Sequence, residues 1–81
     1  EIDPANAAKD PKTSLQEWLQ SRRHRLPEYV LTNARGEAHA QEFEVQCRVD
    51  ELGLAGTGVG ANRRAAEQEA ARHVLSRLKT Q

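Results

Sequence analysis

Gln41-Glu42-Phe43-Glu44-Val45-Gln46-Cys47-Arg48-Val49-Asp50 is the stretch that decides the fold. Phe43, Val45, Cys47 and Val49 fall on every second position, with Glu42, Glu44, Gln46 and Arg48 between them. Alternation with period two marks a strand with one dry and one wet face. Such a strand needs neighbours, and the flanking sequence supplies them. Upstream, Tyr29-Val30-Leu31-Thr32 is a β-prone run that stops at Asn33-Ala34-Arg35-Gly36, which has the composition of a turn. Downstream, Leu52 and Leu54 lead into a glycine-rich third strand or loop carrying Gly53, Gly56, Gly58 and Gly60.

Helical spacing brackets this β segment. From Lys12 to about Arg23, Leu15, Trp18 and Leu19 follow the i, i+3, i+4 rule, with Asp10 or Thr13 available as the cap. Leu26-Pro27 is expected to end that helix, because the residue before proline is pushed out of helical geometry. From Asn62 to about Leu78, Ala66, Ala70, Val74 and Leu78 form one stripe, widened by Ala71 and Leu75. The expected order is α-β-β-β-α. Short connections make the three strands antiparallel, and both helices can cover one sheet face, giving an α+β two-layer sandwich with the acidic face left to water.

The chain has 81 residues, 37% of them apolar and 12 of them alanine, which suits one small core and not a buried enzymatic cavity. Formal net charge is zero, but it is segregated. Residues 12–25 and 60–81 each carry +3, while residues 26–59 carry −4 and residues 1–11 carry −2. A lone cysteine, Cys47, cannot close an intrachain disulfide, and no apolar run is long enough for a membrane span, so a cytoplasmic, soluble protein is expected. His24, His39 and His73 are scattered without a cysteine partner set suited to zinc. No catalytic constellation stands out: Glu42 and Glu44 share a strand face without a histidine, and Cys47 points to the core. Residues 1–11, with Pro4, Pro11 and three alanines, read as a linker. The missing initiator methionine makes the chain read as a fragment of something longer.

Three groups of polar residues are candidates for binding. Asn62 is a good helix cap, and it places Arg63 and Arg64 in the first turn, where the helix dipole disfavours cations. Backbone amides, dipole and two guanidinium groups together suit an anion such as phosphate. Thr13, Gln16, Glu17 and Gln20 share one exposed edge of the first helix and can meet ribose hydroxyls and base edges. Gln16 can accept from a guanine amino group in a minor groove. Gly36, Glu37, Ala38 and His39 form a hairpin tip in which a histidine has no packing reason to sit. Solvated arginines, a wet helix face and a tolerant turn explain the same residues structurally.

Together the marks resemble the double-stranded-RNA-binding domain. They are Leu26-Pro27-Glu28-Tyr29, the Gly36 to His39 turn, Phe43, and Asn62-Arg63-Arg64-Ala65-Ala66-Glu67. The run from Lys9 to Gln20, with Gly36 to Phe43 and Ala66-Glu67-Gln68, is similar to the C-terminal domain of bacterial ribonuclease III, and Glu1-Ile2-Asp3-Pro4 looks like the end of its nuclease domain. The resemblance implies residues 1–11 as a linker and nuclease-domain tail, and residues 12–81 as the RNA-binding domain. It implies recognition of double-stranded RNA by A-form shape, as the substrate-binding domain of a ribonuclease III that processes rRNA and mRNA precursors. Thr13, Gln16, Glu17 and Gln20 would enter one minor groove, Gly36, Glu37, Ala38 and His39 the next, and Asn62, Arg63 and Arg64 would hold the phosphates between.

The widespread turn has proline where this chain has Glu37, and the helix start often has a further lysine where this chain has Ala65 or Glu67. Both departures weaken affinity. The acidic magnesium-binding cluster of the nuclease is absent, so the fragment is expected to bind without cutting. Magnesium and homodimerisation would belong to the parent's nuclease domain, with this fragment monomeric. A protein-interaction or dimerisation module of the same fold is the alternative.

Overall fold

The computed structural model describes residues 10–37 and 39–79. The expected linker 1–11 therefore lies almost wholly outside the described residues, as does Ala38. Helix α1 spans Pro11–Ser21, followed by strands β1 (Glu28–Arg35) and β2 (Glu42–Val49), a single 3₁₀ turn at Asp50–Leu52, strand β3 (Leu54–Gly60) and helix α2 (Arg63–Lys79). The sheet is antiparallel in the order β1-β2-β3. Alternation in β2 works as expected. Val45, Cys47 and Val49 are buried, while Glu42 and Arg48 face water.

Strand β3 puts three glycines, Gly56, Gly58 and Gly60, on the face that α2 covers. A Cβ on Gly58 would run into the backbone of Ala66 and Ala70, and one on Gly60 would come within 2.6 Å of Ala65 Cβ. Side chains are thus missing on the strand where they are smallest on the helix, and the two backbones pack almost directly on each other. The expected stripe is confirmed: Ala66, Ala70, Ala71, Val74 and Leu78 are buried. Helix α1 lies against α2 and adds Leu15 and Leu19 to the same cluster as Cys47, Val49, Ala70 and Val74. His73 ties helix to strand again, with Nδ1 2.5 Å from the Thr57 carbonyl oxygen.

Two boundaries differ from expectation. Helix α1 ends at Ser21, two residues before the expected end near Arg23 and five before Leu26-Pro27. His24 N–H donates to the Leu19 carbonyl at 2.9 Å and Arg23 N–H to Gln20 at 3.0 Å, and Arg23 takes a left-handed φ of 61°. This is a Schellman closure without glycine, which leaves about 1 kcal/mol of strain on Arg23. The contacts around it compensate. His24 stacks on Trp18 with ring centroids 6.3 Å apart, and Glu51 accepts from the Arg25 N–H at 2.8 Å and faces His24 Nδ1 at 3.2 Å.

Strand β1 continues through Asn33-Ala34-Arg35, where the sequence reads as a turn. The register shifts between Leu31 and Asn33, which leaves Thr32 as the extra residue of a bulge, its hydroxyl donating to the Glu44 carbonyl (3.1 Å) or carboxylate (2.9 Å). Beyond the bulge, pairing resumes and ends at an Arg35–Glu42 ion pair of 2.8 Å. The turn therefore occupies the residues from Gly36 to Gln41.

Gly58→Ala should lower stability by about 3 kcal/mol or more, the upper end of overpacking, because the added carbon meets backbone that cannot rotate away. Urea unfolding measures this. Gly53→Ala, with open space around a φ of 65°, should cost only about 1 kcal/mol of backbone strain.

Asp10 caps α1, accepting from the Thr13 N–H at 2.8 Å. Its carboxyl is held at about 2, from an ordinary 3.8, first by the Thr13 side chain and backbone and then by Gln68. A lowered folded-state pKa adds stability that is complete above the unfolded value and lost on acidification. Asp10's share should therefore be complete above about pH 4 and gone below about pH 2. Asp10→Ala should cost about 1 kcal/mol at neutral pH, whereas Asp10→Asn should keep the cap and flatten this part of the acid limb.

Candidate nucleic-acid interface

Helix α2 begins as its sequence demands. The Asn62 side-chain oxygen accepts from the Ala65 N–H at 2.8 Å and the Asn62 carbonyl from the Ala66 N–H at 3.0 Å, so the cap is made twice. Arg63 and Arg64 follow in the first turn, both exposed, with no acidic residue beside them in that turn. Arg63 bonds to Glu67 one turn on, at 3.1 Å. Arg64 has no ion pair among the described residues and feels Asp10 only at longer range. Positive charge thus gathers at the positive end of the helix dipole, where an anion relieves both.

The first turn of α1 is bonded to the second turn of α2. Lys12 N–H donates to the Gln68 side-chain oxygen at 3.0 Å, so α2 caps an amide of α1. Lys12 Nζ lies 2.6 Å from Glu67 Oε1 and 4.9 Å from the Tyr29 ring centroid. Burial pushes the Glu67 carboxyl up, but hydrogen bonds from Lys12 and Arg63 outweigh it and hold the group below its ordinary value. On the outer side of α1, Thr13, Gln16, Glu17 and Gln20 are all exposed, as their spacing predicts.

On the other flank, Gly36 to Gln41 closes with Ala40 N–H donating to the Glu37 carbonyl at 2.8 Å. Gly36 has a φ of 96°, and a Cβ there would strike the Ala40 carbonyl oxygen, so the turn requires glycine at this position. Glu37 and His39 are exposed. A groove lined by Gly36, Ala40, Gln41, Val59, Gly60 and Ala61 joins the turn to the segment that enters α2. The β1–β2 turn thus meets the connection into α2, and Lys12 ties the start of α1 to α2 through Glu67 and Gln68.

Lys12, Glu67 and Gln68 were not singled out by sequence reading as parts of a site. The i, i+4 spacing of Arg63 and Glu67 was a readable signal for one of these pairs. Nothing local announces the contact of Lys12 with Glu67, which are 55 positions apart. Cys47 is buried, and its thiol is pushed up to about 11 by that burial, with the Tyr29 hydroxyl and Lys12 pulling the other way. That suits a core residue, not a nucleophile. Among the described residues no three His, Cys, Asp or Glu side chains gather to hold a metal, and no helix is long and apolar enough to cross a membrane.

Comparison with known proteins bears on the same surface. The chain is 62% identical over 78 residues to Ribonuclease 3 of Aromatoleum aromaticum, covering 96% of this chain and 35% of that protein. It is 53% identical over 81 residues to Ribonuclease 3 of Variovorax paradoxus, and 50% identical over 80 residues to that of Actinobacillus pleuropneumoniae. These matches cover 98% and 99% of this chain, respectively, and 36% of each relative. The chain spans about a third of the length of the curated relatives it matches. Residues 11–78 match the model of the double-stranded RNA binding motif, which takes in both helices except Lys79, all three strands and every candidate residue; the chain belongs to the double-stranded RNA binding motif family.

Proposed function

We propose that this chain binds double-stranded RNA by its A-form shape, as the substrate-binding domain of a ribonuclease III that processes structured RNA such as rRNA and mRNA precursors. The observation that carries the reading is the start of α2. Two exposed arginines are placed against the helix dipole on a capped helix end, and the connection into that helix shares a groove with the β1–β2 turn. In an RNA duplex, phosphates line the deep major groove, with ribose hydroxyls and base edges in the shallow minor grooves on either side. A basic centre between two polar, hydroxyl-reading flanks matches that sequence of groups.

In this reading Thr13, Gln16, Glu17 and Gln20 meet one minor groove, Gly36, Glu37, Ala38 and His39 the next, and Asn62, Arg63 and Arg64 the phosphates between. The outer sheet face, with Glu42, Glu44 and Gln46, is turned away from the polyanion. The RNA-binding unit runs from about residue 12 to the end of the chain, begun by the Asp10 cap and Pro11 of α1, and the residues before them serve as the linker to a nuclease domain. Cleavage, its magnesium and homodimerisation belong to that domain, and the working compartment is the cytoplasm. The fragment alone is a monomer that binds and does not cut.

Competition binding tests the reading with RNA and DNA duplexes of one sequence: RNA should win clearly, because 2′-hydroxyls and A-form grooves carry recognition, and affinity should fall with added salt. Equal binding would refute it. Arg64→Ala should lose about 1.5 to 3 kcal/mol, the range for a hydrogen bond to a charged group, and lower the salt slope by about 1. Arg63→Ala should lose less, since Arg63 must first part from Glu67.

A further inference from the structure

One carboxylate, Glu67, faces two cations from different helices. Lys12 of α1 is 2.6 Å from Oε1, and Arg63 of α2 is 3.1 Å from Oε2. The two are not equivalent. The Lys12 side chain is 35% exposed and lies between Glu67 and the Tyr29 ring, while the Lys12 backbone N–H is anchored on Gln68. The Arg63 side chain is 56% exposed and reaches Glu67 through a single Nε bond along its own helix. Glu67 itself is only 14% exposed, so water does little to screen it.

A carboxylate in the first turns of a phosphate-binding helix works against that helix. It occupies the arginine that should meet the phosphate and repels the phosphate directly. Among the described residues Lys12 is the cation placed to cancel that charge without leaving its position. We propose that Lys12 is a positioning residue of the phosphate site: it neutralises Glu67 from the neighbouring helix and so leaves Arg63 free to turn to an RNA phosphate.

This inference rests on the double-stranded-RNA reading above. It also connects the two halves of the interface. Docking of α1 against α2, set by Leu15 and Leu19 in the core, delivers the Lys12 ammonium to Glu67. The α1 edge and the α2 start therefore work as one unit: without α1 in place, the α2 start would carry an uncancelled acid.

The test is a double-mutant cycle read by fluorescence anisotropy with one RNA duplex across a salt series, using wild type, Lys12→Met, Glu67→Gln and the double variant. Methionine keeps the aliphatic stem against Tyr29, and thermal melts check that each variant folds. Lys12→Met should weaken binding roughly five- to tenfold, the scale of one partly screened charge interaction. Glu67→Gln should bind at least as tightly as wild type. The double variant should return to within about twofold of wild type, in affinity and in salt slope, because the two missing charges cancel. If it stays as weak as Lys12→Met, with the salt slope lower by about 1, then Lys12 grips phosphate itself and the proposal is overturned.

An NMR titration of the Glu67 carboxyl in the RNA-free chain reads the charge relation separately. It should move upward in Lys12→Met. A wild-type chain that binds no RNA duplex overturns both readings at the level of function, and a Glu67 titration that still moves identifies that failure. A titration that stays put shows instead that Lys12 does not control Glu67.

Discussion

Backbone packed on backbone, at the crossing of α2 over β3, is the contact on which the rest of the molecule depends. Gly58 stands where a Cβ would meet the Ala66 and Ala70 main chain, and Gly60 where it would meet Ala65 and Ala66. The glycines set how closely the helix approaches the sheet, and the alanines set which face it turns. With that depth and rotation given, Val74 and Leu78 reach the core beside Leu15 and Leu19, which holds α1. The same crossing brings the short Gly60-Ala61-Asn62 connection next to the β1–β2 turn. A domain with few large apolar side chains thus gains precision from close approach instead of bulk.

Zero net charge and binding of a polyanion are compatible because several of the charges are already matched to one another within the fold. Arg35 is matched to Glu42, Arg72 to Glu69, Arg25 to Glu51, and Lys12 with Arg63 to Glu67. The exposed pairs among them contribute little stability, at most about 1 kcal/mol each. Their effect here is on the electrostatic surface. They cancel charge along the sheet and in the middle of α2, while Arg64 and the amides of the α2 first turn keep their field. Arg22 is handled differently, with its guanidinium laid 4.0 Å over the Trp18 ring at the other end of α1.

Reading the chain alone recovered the element order, the dry face of β2, the α2 stripe and the Asn62 cap, since each is written in local spacing. It placed the end of α1 too late and the end of β1 too early, in both cases for a non-local reason. Arg23 accepts a left-handed conformation because His24 packs on Trp18 and Glu51 arrives from the 3₁₀ turn. Asn33-Ala34-Arg35 stays in the sheet because the Thr32 bulge resets the register against Glu44, and Arg35 finds Glu42 across the ladder.

The candidate residues divide along the same line. Thr13, Gln16, Glu17 and Gln20 share an edge by helical periodicity, Arg63 and Arg64 follow an N-cap, and Gly36 answers to a turn; each of these is a matter of a few neighbouring residues, so sequence sufficed. That the β1–β2 turn meets the connection into α2, that Gln68 caps the start of α1, and that Lys12 and Arg63 share the Glu67 carboxylate are relations between segments far apart in the chain. Periodicity carries no information about which helix faces which. Only the depth at which α2 settles on the glycine face of β3, and the docking of α1 against it, decided those contacts and with them the charge of the site.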